Sequence, residues 1–329
     1  MLRSAPYPYH AAIYTFTGCV ENGVGMQQIG QKRPGLTAFD LRAIGNSPRF
    51  KNNKTKIVDL AMLSGLSHAP AAHLLFIYGD AVHGLGGDAD ALFEEAKNAT
   101  WDKTAFMRGR VVNKHARYNC CVADCAQVAD IPNKQGTVHS FSQMFEANRV
   151  RIGLGQLGQE CLSTRDDKPL ADLFAEGNQY YSRNTGIGAH GDSERNIVVG
   201  INMGSSRHLQ FRLYHKNVPI SKWISILMNH GNIYAMDLAA TGHNWRKSSL
   251  YTWRHRAGDQ IFLARDDKQL RSRYIKRGAE EQYGILQIDP SSDDETDSET
   301  DLCDTEDEEL VLDRLRFRKK QKIADRKLE

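Results

Sequence analysis

Gly186-Ile187-Gly188-Ala189-His190-Gly191-Asp192-Ser193-Glu194-Arg195 runs directly into Asn196-Ile197-Val198-Val199-Gly200-Ile201-Asn202-Met203. A polar turn thus feeds a run rich in β-branched and apolar residues. More such runs follow: Leu209 to Tyr214, Ile224 to Met228, Asn232 to Met236 and Leu250 to Arg254, separated by Gly, Asn, Asp and Ser. Short strands at this spacing with turn residues between them predict a sandwich or barrel. Upstream, Ile57 to Leu63 and Ala89 to Ala99 have helical spacing, His73 to Tyr78 is a short apolar strand, and Phe141 to Val150 reads as helix. The class predicted is α+β, mainly β with flanking helices.

On extended backbone, residues i and i+2 face the same way, so the His190 imidazole and the Asp192 carboxylate can reach one ion. A second histidine later in the sheet would complete a 2-His-1-carboxylate face. Such a face leaves coordination positions open for a bidentate 2-oxo acid and O₂ on Fe(II).

The ordered set of motifs around this turn resembles the AlkB-like branch of the Fe(II)/2-oxoglutarate dioxygenases. It comprises Asn178-Gln179-Tyr180-Tyr181, His190-Gly191-Asp192, Gly200 to Gly204, Phe211 to Tyr214, His230 to Met236 and Tyr251-Thr252-Trp253-Arg254. Within that branch the chain is most similar to a group from large DNA viruses and some protists, which shares Glu21-Asn22, Gly25 to Gly30, Asn113 to Asn119 and the run 186–195. The resemblance spans residues 15–260. It implies a double-stranded β-helix (jelly roll) over 150–288, an N-terminal helical and lid region over 1–149, and an oxidoreductase using Fe(II), 2-oxoglutarate and O₂.

His190 and Asp192 would be two metal ligands, and either His243 or His255 the third. Alternation on a strand prevents Arg254 and His255 from both facing one barrel interior. If His243 ligates, Arg254 with Thr252 would hold the far carboxylate of 2-oxoglutarate; if His255 does, that role passes elsewhere, for instance to Arg256 or Arg265. The carboxylate needs such a partner, because burying it unpaired is prohibitive. Asn178 with Tyr180 or Tyr181 would contact the same cofactor.

The substrate implied is an alkyl group on a nucleic-acid base. Lys114, Arg117, Tyr118 and Asn119 offer phosphate, stacking and base-edge contacts, with Arg195 beside the metal turn. Alternatives are hydroxylation of a protein side chain and an inactive jelly roll used for binding. Cys120, Cys121 and Cys125 with His115 and His139 invite a zinc reading, but the spacing lacks a Cys-x-x-Cys pair.

The 329 residues carry 43 Lys+Arg and 40 Asp+Glu, and the balance is uneven along the chain. Residues 289–313 hold 13 acids and no base, and residues 314–327 hold eight bases, leaving the preceding body at net +10. A basic body suits a polyanion. The acidic-then-basic stretch 289–329 is expected to be disordered, and its basic end resembles a nuclear localisation signal. The opening residues lack the apolar core of a signal peptide, and no run suits a membrane span. The expectation is therefore an intracellular monomer, with the basic cluster pointing to the nucleus, that acts on nucleic acid away from membranes.

Overall fold

A computed structural model describes residues 10–275 and 285–288; the expectations for 289–329 fall outside them. The chain begins with β1 (Ala11–Thr17), a small hairpin of β2 (Cys19–Glu21) and β3 (Gln28–Gly30), and α1 (Ala38–Gly45). It continues through β4 (Thr55–Asp59), α2 (Leu60–Ser64), β5 (His73–Ile77) and α3 (Ala89–Asn98). A second hairpin, β6 (Thr104–Met107) and β7 (Arg110–Asn113), precedes β8 (Tyr118–Ala123), β9 (Val138–Ser140) and α4 (Phe145–Cys161). Then come β10 (Phe174–Tyr180), β11 (Gly186–His190), β12 (Val198–Gly204), β13 (Arg207–His215) and β14 (Val218–Pro219). The last elements are β15 (Trp223–Met228), β16 (Ile233–Met236), β17 (Thr252–Gly258), α5 (Gln260–Ile275) and β18 (Ile285–Ile288).

Two sheets dominate. The larger has the order β4-β5-β16-β12-β1-β10-β8-β9, and the smaller runs β11-β17-β13-β15-β18 with β14 attached to β13. From β10 to β17 the chain passes back and forth between them. Strand alternation sends one set of side chains to each face. Leu75, Ile77, Tyr14, Phe16, Val199 and Ile201 join the core under α1, α3 and α4. Their neighbours Leu74, Phe76 and Val198 face the smaller sheet and meet Leu209, Phe211, Ile224, Ile226 and Trp253. Each such side chain contributes about 1.5–3 kcal/mol on burial, so both faces of the larger sheet are apolar and its strands read as near-continuous runs.

Two expectations change here. Ile57 and Val58, read as the start of a helix, lie in a strand paired with β5. The helix starts only after Asp59, whose carboxylate accepts from the Met62 amide and caps it. The region 1–149, read as helices and a lid, supplies β1, β4, β5, β8 and β9 to the larger sheet. β1 lies between β10 and β12, with Ile13 opposite both Asn178 and Asn202. Ile13 and Thr15 therefore line a cavity between the sheets, while Tyr14 and Phe16 face the helices. Among the described residues no helix is long and apolar enough to cross a membrane.

Candidate metal centre

β11 and β17 pair antiparallel, and an irregular register after Ile187 places His190 opposite His255. Their rings are 4.3 Å apart. Asp192 follows the strand, with its amide donating to the Thr241 carbonyl at 2.9 Å. The Asp192 carboxylate lies 3.7 Å from His190 Nε2 and 3.7 Å from His255 Nε2. These gaps are too long for hydrogen bonds, yet one ligand atom from each residue falls within 4.8 Å of the others. Among the described residues this is the one group of His, Cys, Asp or Glu side chains so arranged. The cysteines near Cys120 form no such cluster; Cys121 instead donates its thiol to Asn22 Oδ1.

The protonation chemistry fits a cation. His190 Nδ1 faces the Gly188 carbonyl at 2.9 Å, which makes it the N–H and leaves Nε2 with its lone pair. Burial lowers His190 to about 4 and takes His255 well below its usual value, so both rings are neutral donors. Burial raises Asp192 to about 7, opposed by the Arg195 guanidinium. A bound cation would favour the carboxylate over the acid. His255 Nδ1 is buried without a partner.

Gly191 is required by close approach. A Cβ there would run into the Gly242 carbonyl and lie 2.8 Å from Trp245 Cβ. The loop from Ala239 to Trp245 thereby packs directly on the turn between the two ligands.

Of the two histidines offered for the third ligand, the fold brings in His255. His243 is turned away, with Nδ1 2.9 Å from the Leu238 carbonyl and Nε2 2.6 Å from Asn244 Nδ2. Strand parity then turns Arg254 and Thr252 away from the triad, where they were expected to hold a carboxylate. On β13 the partner of His255 is Phe211, inside, whereas Arg254 pairs with Arg212 and Thr252 with Tyr214 on the other face. Arg254 lies over the Tyr214 ring and donates to Asn217 Oδ1 at 2.6 Å. Arg256, on that same outer face, is committed to Gln210, Asp266 and Asp267. Arg265 donates to the Asn184 carbonyl.

A cavity of about 270 Å³ opens beside the triad, lined among others by Arg117, Glu176, Asn178, Tyr180, Arg195 and Trp245. Asn178 and Tyr180, two of the residues expected to contact a cofactor, line this cavity, whereas Tyr181 stacks on Tyr118 at 4.3 Å. Within the segment read as substrate-binding, the residues divide. Arg117 Nε donates to Asn178 Oδ1 while lining the cavity. Asn119 is buried and donates to the same oxygen at 2.8 Å. Lys114 is spent inside the protein, donating to the Asn22 carbonyl at 2.8 Å, and burial lowers it to about 8. Arg195 is buried between Glu176 and Glu194, 4.0 Å from Asp192. Glu176 escaped the sequence reading, although its place two residues before Asn178 puts both on one strand face.

No protein-family model matches the chain. An uncharacterised protein of Acanthamoeba polyphaga mimivirus is 36% identical over 252 residues, covering 76% of this chain and 96% of its own length. The chain belongs to that protein's family. The match agrees with the expected likeness to a group from large DNA viruses.

Proposed function

We propose that the protein is an Fe(II)- and 2-oxoglutarate-dependent dioxygenase with a double-stranded β-helix core, acting on an alkyl group of a nucleic-acid base. The observation that carries this reading is the convergence of His190, Asp192 and His255 on one inner point beside a cavity. The passage of β10 to β17 between two facing sheets supports the core assignment. Three donors on one side leave the other side open, the condition for chelation by a 2-oxo acid. Iron with 2-oxoglutarate and O₂ would supply oxidation of an unactivated C–H bond, with succinate and CO₂ as co-products.

The chain's own residues hold geometry and exclude water. Gly188 fixes the His190 tautomer, Arg195 favours ionised Asp192, and Ile187, Leu209, Met236 and Ala257 give the cavity apolar walls. Outside the cavity lining, Tyr118 and Tyr181 form a stacked pair with Lys103 Nζ 5.7 Å from the Tyr118 ring, and Arg117, the residue before Tyr118, lines the cavity. Flat aromatic surface beside cations supports recognition of an unstacked base and its phosphate.

The test is release of succinate from 2-oxoglutarate with Fe(II), measured with alkylated DNA and RNA oligonucleotides and with peptides. The reading predicts turnover that requires Fe(II), is stimulated by the oligonucleotides and is lost in Asp192→Ala. Stimulation by peptides alone would move the substrate to a protein side chain. Tight oligonucleotide binding without succinate release would mark a binding module.

A further inference from the structure

We infer that Arg207, stacked on the cavity-lining Tyr180, takes the far carboxylate of the 2-oxo acid; this rests on the dioxygenase reading above. Arg207 begins β13 on the same face as Leu209 and Phe211. Leu209 lines the cavity, and Phe211 lies opposite His255 with its ring 5.8 Å away. The anchor therefore stands four residues along the inner face from the metal level, about 13 Å of strand. The long arginine side chain and a short diacid chelated at the metal share that span.

What marks Arg207 is the lack of a direct ion pair: the Asp259 carboxylate acts on it only from beyond ion-pair range and is itself paired with Arg183. Arg207 is 4% exposed. Arg195 and Arg256, also buried, each contact carboxylates, whereas among the described residues no carboxylate lies in ion-pair range of Arg207. Its guanidinium is held in place by the Thr185 carbonyl and by the Tyr180 ring, whose centroid is 3.8 Å away. Tyr180 itself lines the cavity. Arg207 Nε is buried with no acceptor. Burial lowers the group to about 10, which leaves it charged at neutral pH. A buried cation with an unfilled donor is costly to keep, and an anionic ligand at this place removes the cost. The planar fork matches a carboxylate, and the fork is fixed before the ligand arrives. Arg117, which lines the cavity, is already engaged by Asn178 through its Nε.

The experiment compares 2-oxoglutarate with 2-oxobutyrate, which lacks the far carboxylate, by calorimetric titration of the full-length protein loaded with redox-inert Mn(II). Wild type should bind 2-oxoglutarate at least about tenfold more tightly, the discrimination expected of one charge-assisted pair. Arg207→Met should lose that preference while keeping its affinity for 2-oxobutyrate and for Mn(II); Arg254→Met should keep the preference. Because Arg207→Met removes an unpaired buried charge, it should unfold at the wild-type temperature or above. Arg207→Lys provides a second variant, retaining charge without the fork and only part of the preference. A wild-type preference surviving intact in Arg207→Met would overturn the assignment and leave the dioxygenase reading standing. Failure of Mn(II)-loaded wild type to bind either acid would overturn both.

Discussion

His190 and His255 face each other across the β11–β17 ladder, rings 4.3 Å apart, with the Asp192 carboxylate 3.7 Å from an Nε2 of each. This pairing selects the third ligand and, through strand parity, decides where every arginine of β17 points. In the loop beside it, His243 is engaged by Leu238 and Asn244. His255→Ala should therefore abolish Mn(II) binding by calorimetry while His243→Ala leaves it intact. The reverse pattern would move the metal to the Gly242–Trp245 loop.

Gly191→Ala should weaken metal binding by about tenfold or more, the usual scale when the support of a ligand is disturbed. The added methyl has to displace the Gly242 carbonyl or Trp245, and either shift moves the backbone between the two ligands. Wild-type affinity in this variant would mean that the loop yields freely.

Arg195 and Glu176 form an ion pair with both side chains below 10% exposed. Removing one partner leaves the other charge buried, so Arg195→Gln should cost about 3 kcal/mol or more in urea unfolding. Adding Glu176→Gln should recover part of that loss. A cost under about 1 kcal/mol would place the pair among exposed bridges.

Burial lowers Lys114 to about 8 against 10.5 for the free side chain. Between those values the unfolded chain binds more protons at this site than the folded one, so its contribution to stability rises with pH. The melting temperature of wild type minus that of Lys114→Met should therefore increase from pH 8 to pH 10.5. A difference that stays flat or falls would show that Lys114 titrates as an exposed lysine.

Much of this was legible in the residues. The strands after Ile197 announced themselves through β-branched runs between turn residues, and the His-x-Asp spacing on extended backbone named two ligands. Parity showed that Arg254 and His255 exclude each other, although only the cross-strand register told which one faces inward. Other features were hidden because they depend on distant partners. The placement of β1 between β10 and β12 is a long-range pairing that local pattern does not encode. Ile57 and Val58, at the start of the segment read as helix, belong to a strand because they pair with β5, a long-range contact that the local spacing does not encode. Arg207 could not be singled out, since what distinguishes it is the lack of a direct ion pair among the described residues of the folded protein.

The most direct test of the central claim is anaerobic titration of the metal-free protein with Fe(II), following heat and stoichiometry. One ion per chain should bind to wild type, and none at the same concentration to His190→Ala, Asp192→Ala or His255→Ala. Failure of wild type to bind iron, or unchanged binding in the three variants, would contradict it.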